Sequence, residues 1–493
     1  MAKKQVILIM TDTQRRDMIS IYNGKDDMHT PNLDSLAKDG IRFNKAYTCQ
    51  PVCGPARSAL FTGMYPHTNG MVANSMALNE HARTLGQQLN NTNVHSAYIG
   101  KWHLDGGDYF GNGICPDGWD KNYWYDMKNY LDEMSEADRF RSRKFETCFE
   151  DEGIEETFTY ANKCTQKAID FITKKKDEDF LLVVSYDEPH DPFLAPKEFF
   201  EAFKDGSHLN RDNKNMDISN LPDHIKVWAK QCEGNDGNPF GLLGCNSYVD
   251  YEMGKLLDHI NDNVKDALII YTSDHGDSLG SHNIIMKGPA MYDEITNIPL
   301  IMKWNNNIKE NSVINDPTSH IDIVPTILDY FDIKKPGYLT GNSLIPVLKG
   351  CDSEKKPKAF IEFTRYEIDH DGFGGYQPIR CVVDNQYKLV INLMTQDELY
   401  DMENDPQEMN NLINNSDYIK IRNKLHDDLL KWMDDTRDPY RGYYWERRPW
   451  RTDVSEATWG CHGMTRQRYT REEEATQLDY STGLEITELV RKK

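Results

Sequence analysis

Short unbroken apolar runs, each closed by a polar cluster, recur through the first half of the chain. Gln5 to Met10 runs into Thr11-Asp12-Thr13, and Ser96 to Gly100 into Lys101-Trp102-His103. Phe180 to Tyr186 ends in Asp187-Glu188-Pro189-His190, and Ala267 to Thr272 in Ser273-Asp274-His275-Gly276. Runs of this length without alternation suit strands buried on both faces of a parallel sheet. Helical signals lie between them: Thr30-Pro31 predicts an N-cap and first helical position, and Gly40 the stop. The expected fold class is α/β, a large mixed, mostly parallel sheet sandwiched by helices. Ligands of such sheets bind beyond the carboxyl ends of the strands. Four polar clusters at four strand ends therefore predict one site assembled from distant segments.

From about residue 355 the pattern changes. Lys355-Lys356-Pro357-Lys358 reads as a linker, and alternating runs follow at Ala359 to Phe363, Ile379 to Val383 and Tyr387 to Leu393. These predict a small antiparallel sheet, followed by a polar helix over Ser416 to Asp434. The expected division is a catalytic α/β domain over 1–354 and a C-terminal α+β subdomain over 355–493. The aromatic and basic stretch Tyr440 to Arg451 either wraps that subdomain, frays, or lines a pocket.

Composition narrows the partners. The 493 residues carry 57 Lys plus Arg against 79 Asp plus Glu, a net charge of −22. Such a surface repels polyphosphate, so nucleic acid and anionic membranes are excluded as expected partners. No apolar run approaches the roughly 20 residues of a spanning helix. Lys3-Lys4 followed only by Val6 to Met10 lacks the longer apolar core of a secretory signal, so a cytoplasmic location is expected. Ten cysteines without paired spacing predict free thiols, and Cys49 and Cys53 lack the partners of a zinc site.

Residues 53 to 63, Cys-Gly-Pro-Ala-Arg-Ser-Ala-Leu-Phe-Thr-Gly, fit the pattern C-x-P-x-R with a later T-G. A chance match in a chain this long is on the order of 10⁻⁴. The loop at Cys53-Gly54-Pro55 leads into a helix expected to begin near Ala56. Its free N–H groups and Arg57 are placed to meet a tetrahedral anion. The motif resembles the signature of the formylglycine-dependent type I sulfatases, of the alkaline-phosphatase-like superfamily. The resemblance extends in order through Asp12, Gly100 to His103, His190 to Phe193, Asp274 to Gly276, Lys287 and Asp322 to Leu328. It continues into Glu398-Leu-Tyr-Asp and Asn411-Leu412.

That resemblance implies a hydrolase of sulfate monoesters in which Cys53 is oxidised to Cα-formylglycine. A formylglycine-generating or anaerobic sulfatase-maturing enzyme would be the partner. Asp12, Asp274 and His275 would hold a divalent cation with the formylglycine oxygen; carboxylates favour Ca²⁺, with Mg²⁺ or Mn²⁺ open. Arg57 and Lys101 would orient the nucleophile and His103 would take its second proton. His190 and Lys287 would grip sulfate and protonate the leaving oxygen, and Asn74 would touch substrate. Many sulfatases carry a second acid where Thr13 stands, which puts phosphonate or phosphate ester hydrolysis in play; a non-catalytic binder with unconverted Cys53 is the remaining alternative. Loops near 105–150, 205–245 and 365–377 are expected to form the pocket walls. Gly372-Phe373-Gly374-Gly375 is expected to be a loop at its mouth, and His282 stays unassigned. The acidic surface predicts small substrates (aryl, steroid, choline or carbohydrate sulfates) over long sulfated polymers. Neither the alcohol half nor the oligomeric state is set by the sequence.

Overall fold

The computed structural model describes residues 3–106, 109–144, 153–204, 209, 212–351, 357–367, 376–451, 453 and 478–484. Met1–Ala457 forms one compact unit and Thr458–Lys493 another; the account below concerns the first. Its early strands are β1 (Gln5–Thr11), β2 (Ile41–Phe43), β3 (Ala46–Tyr47), β4 (His95–Gly100), β5 (Phe180–Ser185) and β6 (Leu268–Ser273). Then come β7 (Asn297–Ile298), β8 (Leu300–Lys303), β9 (Ser312–Ile314) and β10 (Thr318–Ser319). The last four are β11 (Ala359–Phe363), β12 (Ile379–Val383), β13 (Tyr387–Asn392) and β14 (Glu398–Asp401).

Seven strands form the main sheet in the order β4-β5-β1-β6-β8-β2-β9. The β4, β5, β1 and β6 quartet is parallel, and β8 runs antiparallel to β6 and β2. The unbroken apolar runs follow from two-sided burial. Successive side chains point to opposite faces, and on β1 Ile7 and Ile9 join one core while Val6, Leu8 and Met10 join the other. The first face is covered by Tyr160–Lys175 and the long helix Pro239–Asn263, the second by Cys53–Thr62 and Ile323–Tyr330. The strand boundaries fall within one residue of those expected.

Two local readings are corrected. Thr30 does precede the helix Pro31–Lys38, but its hydroxyl accepts from the Ser20 N–H at 2.9 Å. The helix N-terminus is capped instead by Asp250, which accepts from the Asn32 and Leu33 amides at 3.1 and 2.9 Å. The 205–245 stretch, expected as a wall loop, holds the helix Asp223–Gln231 and the start of Pro239–Asn263. That long helix escaped the hydrophobic pattern because its buried face is polar in part. Asn246 donates to Met18 O, Asp250 caps a neighbour and Glu252 accepts from Asn162.

The four strands β11 to β14 form a separate antiparallel sheet, backed by Ile419–Asp435. The Tyr440 to Arg451 stretch packs on it rather than fraying. Arg448 and Trp450 both bond Asp397, at 2.8 Å each, and Trp445 is buried. No helix among the described residues is long and apolar enough to cross a membrane. The eight described cysteines are free. Gly372 to Gly375 lies outside the described residues.

A buried charge cluster ties this sheet to the main unit. Arg380 bonds both oxygens of Asp438, at 2.5 and 3.0 Å, and Glu362 pairs with the His67 imidazole. His67, Glu362 and Asp438 lie close enough to suggest a metal site. However, two cations against two carboxylates already balance, and Arg380 occupies Asp438, so no ion is needed. Burial lowers the affinity of His67 for protons, but Glu362 outweighs it and holds the imidazole above its ordinary 6.5. Arg380 holds Asp438 below its ordinary 3.8 despite burial. The His67 contribution is therefore complete below 6.5 and lost as pH rises through the raised value. That of Asp438 is complete above 3.8 and lost as pH falls through the lowered value. We expect the urea midpoint to fall between about pH 5.5 and about pH 8.5, and His67→Gln to shrink that fall. An equal fall in wild type and variant would refute the assignment.

Candidate active site

The parallel quartet delivers the four predicted clusters to one place. Asp12 and Thr13 follow β1, Lys101 to His103 follow β4, Asp187 to His190 follow β5, and Asp274 and His275 follow β6. Gly100 makes the β4 exit possible. Its φ is +121°, and a Cβ there would sit 1.9 Å from Ser185 O. The close approach lets the Lys101 N–H donate to Ser185 O at 2.8 Å, turning the Lys101 side chain into the site.

Arg57, fully buried in the helix Cys53–Thr62, joins the clusters. Its guanidinium donates to Asp12 Oδ2 (2.9 Å), Asp274 Oδ2 (3.1 Å), Lys101 O and Ser185 Oγ (both 2.8 Å). The helix begins at Cys53 itself, not near Ala56. Its first-turn amides are not an open anion cradle: Gly54 N–H donates to Asn74 Oδ1 at 2.8 Å, Pro55 has none, and Ala56 N–H donates to Val52 O. Anion contact therefore falls to side-chain cations.

Around the Cys53 thiol lie acids and an imidazole. Ligand atoms of Asp12, Cys53, Asp274 and His275 lie within 4.8 Å of one another, all buried. Cys53 Sγ is 3.1 Å from His275 Nε2 and 3.7 Å from Asp12 Oδ1. His275 Nδ1 donates to Gly276 O at 2.8 Å, which turns Nε2 inward. Burial and the charge of Asp12 push Asp274 up to about 7. Asp12 stays well below its ordinary value, because Lys101, His190 and Arg57 outweigh burial. Two carboxylates that cannot both ionise comfortably, with an inward imidazole, are a donor set that a divalent cation fits.

Cations border the same acids: Lys101 pairs with Asp12, and His190 Nε2 lies 4.0 Å from Asp12 Oδ1. Lys287 Nζ is 3.1 Å from His190 Nε2 and donates to Thr13 Oγ1 at 3.3 Å. Burial opposes the charge on His190, but Asp191, 2.8 Å from Nδ1, pushes the imidazole up to about 10. Lys101 Nζ pairs with Asp12 at 2.8 Å and Asp187 at 3.0 Å. His103 lies against Cys53, and burial with the Lys101 charge holds it below 6.5 and hence neutral. Burial and Asp12 resist a Cys53 thiolate, yet Lys287, His275 and Lys101 bring the thiol well below its ordinary value.

All ten residues singled out from the sequence thus converge, with Asn74 touching the Cys53 helix through Gly54. Thr13 acquires a purpose the sequence did not show: its hydroxyl donates to Asp12 Oδ1 at 2.8 Å and its N–H to Asp274 Oδ1 at 3.1 Å. His282 stays apart, stacked 3.6 Å from Tyr292 and 3.0 Å from Asn213. Sequence reasoning missed Asp187 and Tyr109, whose ring centre lies 3.7 Å from Lys101 Nζ. Asp187 was visible as a strand-end acid; Tyr109 carried no signal beyond being aromatic.

The model of the family described as Sulfatase matches residues 4–333. The chain belongs to the sulfatase family. A second family model, the C-terminal region of N-sulphoglucosamine sulphohydrolase, matches residues 280–435 of this sulfatase. An uncharacterized sulfatase YidJ of Escherichia coli (strain K12) is 43% identical over 497 residues, covering 98% of this chain and 97% of the relative. A protein solved in complex with its substrate D-glucosamine-2-N,6-O-disulfate superimposes with TM-score 0.69 at 21% identity, covering 89% of this chain and 99% of that one. The phosphonate monoester hydrolase of Agrobacterium radiobacter superimposes with TM-score 0.73 at 20% identity, covering 88% and 96%. The sulfatase is thus a sulfuric ester hydrolase on the alkaline-phosphatase-like fold.

Proposed function

We propose that this sulfatase hydrolyses sulfate monoesters of small organic or sugar alcohols, using formylglycine at position 53 and a bound divalent cation. The observation that carries this reading is the setting of Cys53 among a buried donor set for a cation, Asp12, Asp274 and His275, and beside the cationic groups Lys101, His190 and Lys287 that border it. Formylglycine supplies a geminal diol as nucleophile, and the cation, Ca²⁺ by carboxylate preference or else Mg²⁺ or Mn²⁺, supplies charge stabilisation. A maturing enzyme must install the modification.

The chain's own groups then divide the work. Asp12, Asp274 and His275 hold the cation, and Arg57 holds the two carboxylates in place. His190 and Lys287, nitrogens 3.1 Å apart, crowd positive charge that a tetrahedral anion bound beside them relieves. His190, with a proton secured by Asp191, is the donor to the departing oxygen. His103, kept neutral, is the acceptor for the nucleophile's remaining proton. Lys101 orients the nucleophile beside Asp12, and the Asn74 amide extends to substrate. The sequence stretch 1–354 carries these groups as the catalytic domain, with 355–493 as the C-terminal subdomain.

Two measurements test this. Mass spectrometry of the Cys53 peptide, from cells containing a maturing enzyme, should show formylglycine. Full sulfate release with an intact thiol would refute the nucleophile. A screen across aryl, steroid, choline and carbohydrate sulfates, with an aryl phosphonate beside them, should give sulfate release above phosphonate turnover. The −22 charge further predicts faster turnover of sulfated mono- and disaccharides than of intact polysulfated chains. Phosphonate preference, or faster turnover of the polymer, would overturn the corresponding part.

A further inference from the structure

Tyr109 packs against the main hydrophobic core and brings its ring to the site groups. Its ring centre is 3.7 Å from Lys101 Nζ, and its ring meets those of His103 and His190 at centroid distances of 5.4 and 5.5 Å. Its hydroxyl donates to Asp187 Oδ1 at 2.5 Å, the same oxygen that pairs with Lys101 at 3.0 Å. The ammonium of Lys101 therefore has three neighbours: the carboxylates of Asp12 and Asp187, and a π face. On the same ring Arg143, partly exposed, stands 5.9 Å from the centre.

We infer that Tyr109 and Asp187 are positioning residues: a clamp that fixes the Lys101 ammonium and braces the His103 and His190 rings. The inference rests on the sulfatase chemistry above. A flexible four-carbon stem gives Lys101 many rotamers, and Asp12 alone would leave the ammonium free to swing about one ion pair. The Asp187 carboxylate adds a second anchor. The Tyr109 face adds a cation–π contact in a desolvated place, where it is strongest. The phenol in turn fixes Asp187, so ring and carboxylate act as one unit. The same ring lies against the proposed proton acceptor and the proposed proton donor, coupling three groups drawn from two strand ends. An aromatic filler would do none of this, since its contacts would be apolar, as Phe61, Tyr98 and Trp102 are to one another.

Tyr109→Phe keeps the ring and Tyr109→Leu removes it, while Asp187→Asn keeps the shape without the charge. With formylglycine-bearing protein and an aryl sulfate, we expect Tyr109→Phe to stay within about threefold of wild-type kcat. Tyr109→Leu should fall about thirtyfold in kcat at nearly constant KM and urea midpoint. Asp187→Asn should also lose kcat rather than KM. A Tyr109→Leu kcat within about threefold of wild type overturns the clamp, as does a loss seen only in the urea midpoint. A wild-type protein that releases no sulfate fails the sulfatase chemistry instead. Reductive methylation then decides the clamp alone: Lys101 protected in wild type and labelled in Tyr109→Leu supports it, and equal labelling of the two overturns it.

Discussion

Cys53→Ala will leave a folded protein whose sulfate release is lower by about 10⁶, the scale of removing a nucleophile from an otherwise intact site. The substitution deletes one sulfur atom and keeps the helix, because Cys53 contributes no cap and its backbone is that of any first-turn residue. The two partners left behind, His275 Nε2 and Asp12 Oδ1, lie 3.1 and 3.7 Å from that sulfur. Asp12 Oδ1 keeps the bond from the Thr13 hydroxyl, and His275 stays anchored through Nδ1 to Gly276 O. The urea midpoint should therefore stay close to wild type while turnover vanishes. The measurement is inorganic sulfate released from an aryl sulfate, with protein matured in the same cells. Turnover within about tenfold of wild type would mean that another group attacks the ester, and the setting of Cys53 among these acids and cations would need a different explanation.

How far the chain could be read follows from which signals are local. The four strand ends were legible because two-sided burial of Val6 to Met10, Leu181 to Val184 and Leu268 to Tyr271 leaves no alternation, and polar residues then mark the exits. Every metal and cation candidate except Lys287, which lies further along the loop after β6, was at such an exit or in the Cys53 helix, so topology collected the rest. What stayed hidden depended on long-range partners. The Asp250 cap on the Pro31 helix spans more than two hundred positions, and nothing near Asp250 announces it. The Pro239–Asn263 helix turns Asn246, Asp250 and Glu252 inward, which erases the apolar stripe that identifies a buried helix. Tyr109 is one aromatic among 26 Tyr, 18 Phe and 9 Trp, and only its approach to Lys101 distinguishes it. Thr13 looked like a missing acid; in place, its hydroxyl links Asp12 to Lys287. The net charge likewise described the surface, not the cleft, where Arg57, Lys101, His190 and Lys287 gather against the carboxylates of Asp12, Asp187, Asp191 and Asp274.

Removing Arg57 should damage fold and chemistry together, in a way that separates the two. Its guanidinium is buried and bonds four groups, two of them the carboxylates of Asp12 and Asp274. Arg57→Ala strands those acids with fewer compensating charges, and breaking a buried pair from one side costs about 3–5 kcal/mol. Burial and Asp12 already raise Asp274, so the loss of Arg57 raises it further and a proton replaces the cation's share of that carboxylate. Turnover should fall by at least about 10³, as on removing a preorganised electrostatic donor. Arg57→Lys cannot repair this, because one ammonium on a flexible stem does not reproduce a planar fork that reaches two carboxylates, a carbonyl and a hydroxyl. Added divalent cation separates the effects. An ion that binds only the folded state stabilises it, and it supplies positive charge where Arg57 has been lost. Millimolar Ca²⁺ should therefore raise the urea midpoint of Arg57→Ala more than that of wild type, while leaving its kcat low. Equal shifts in the two proteins would show that Arg57 does not share the charge of Asp12 and Asp274 with the ion. Recovery of kcat on adding Ca²⁺ would show that the guanidinium holds the carboxylates and does nothing more.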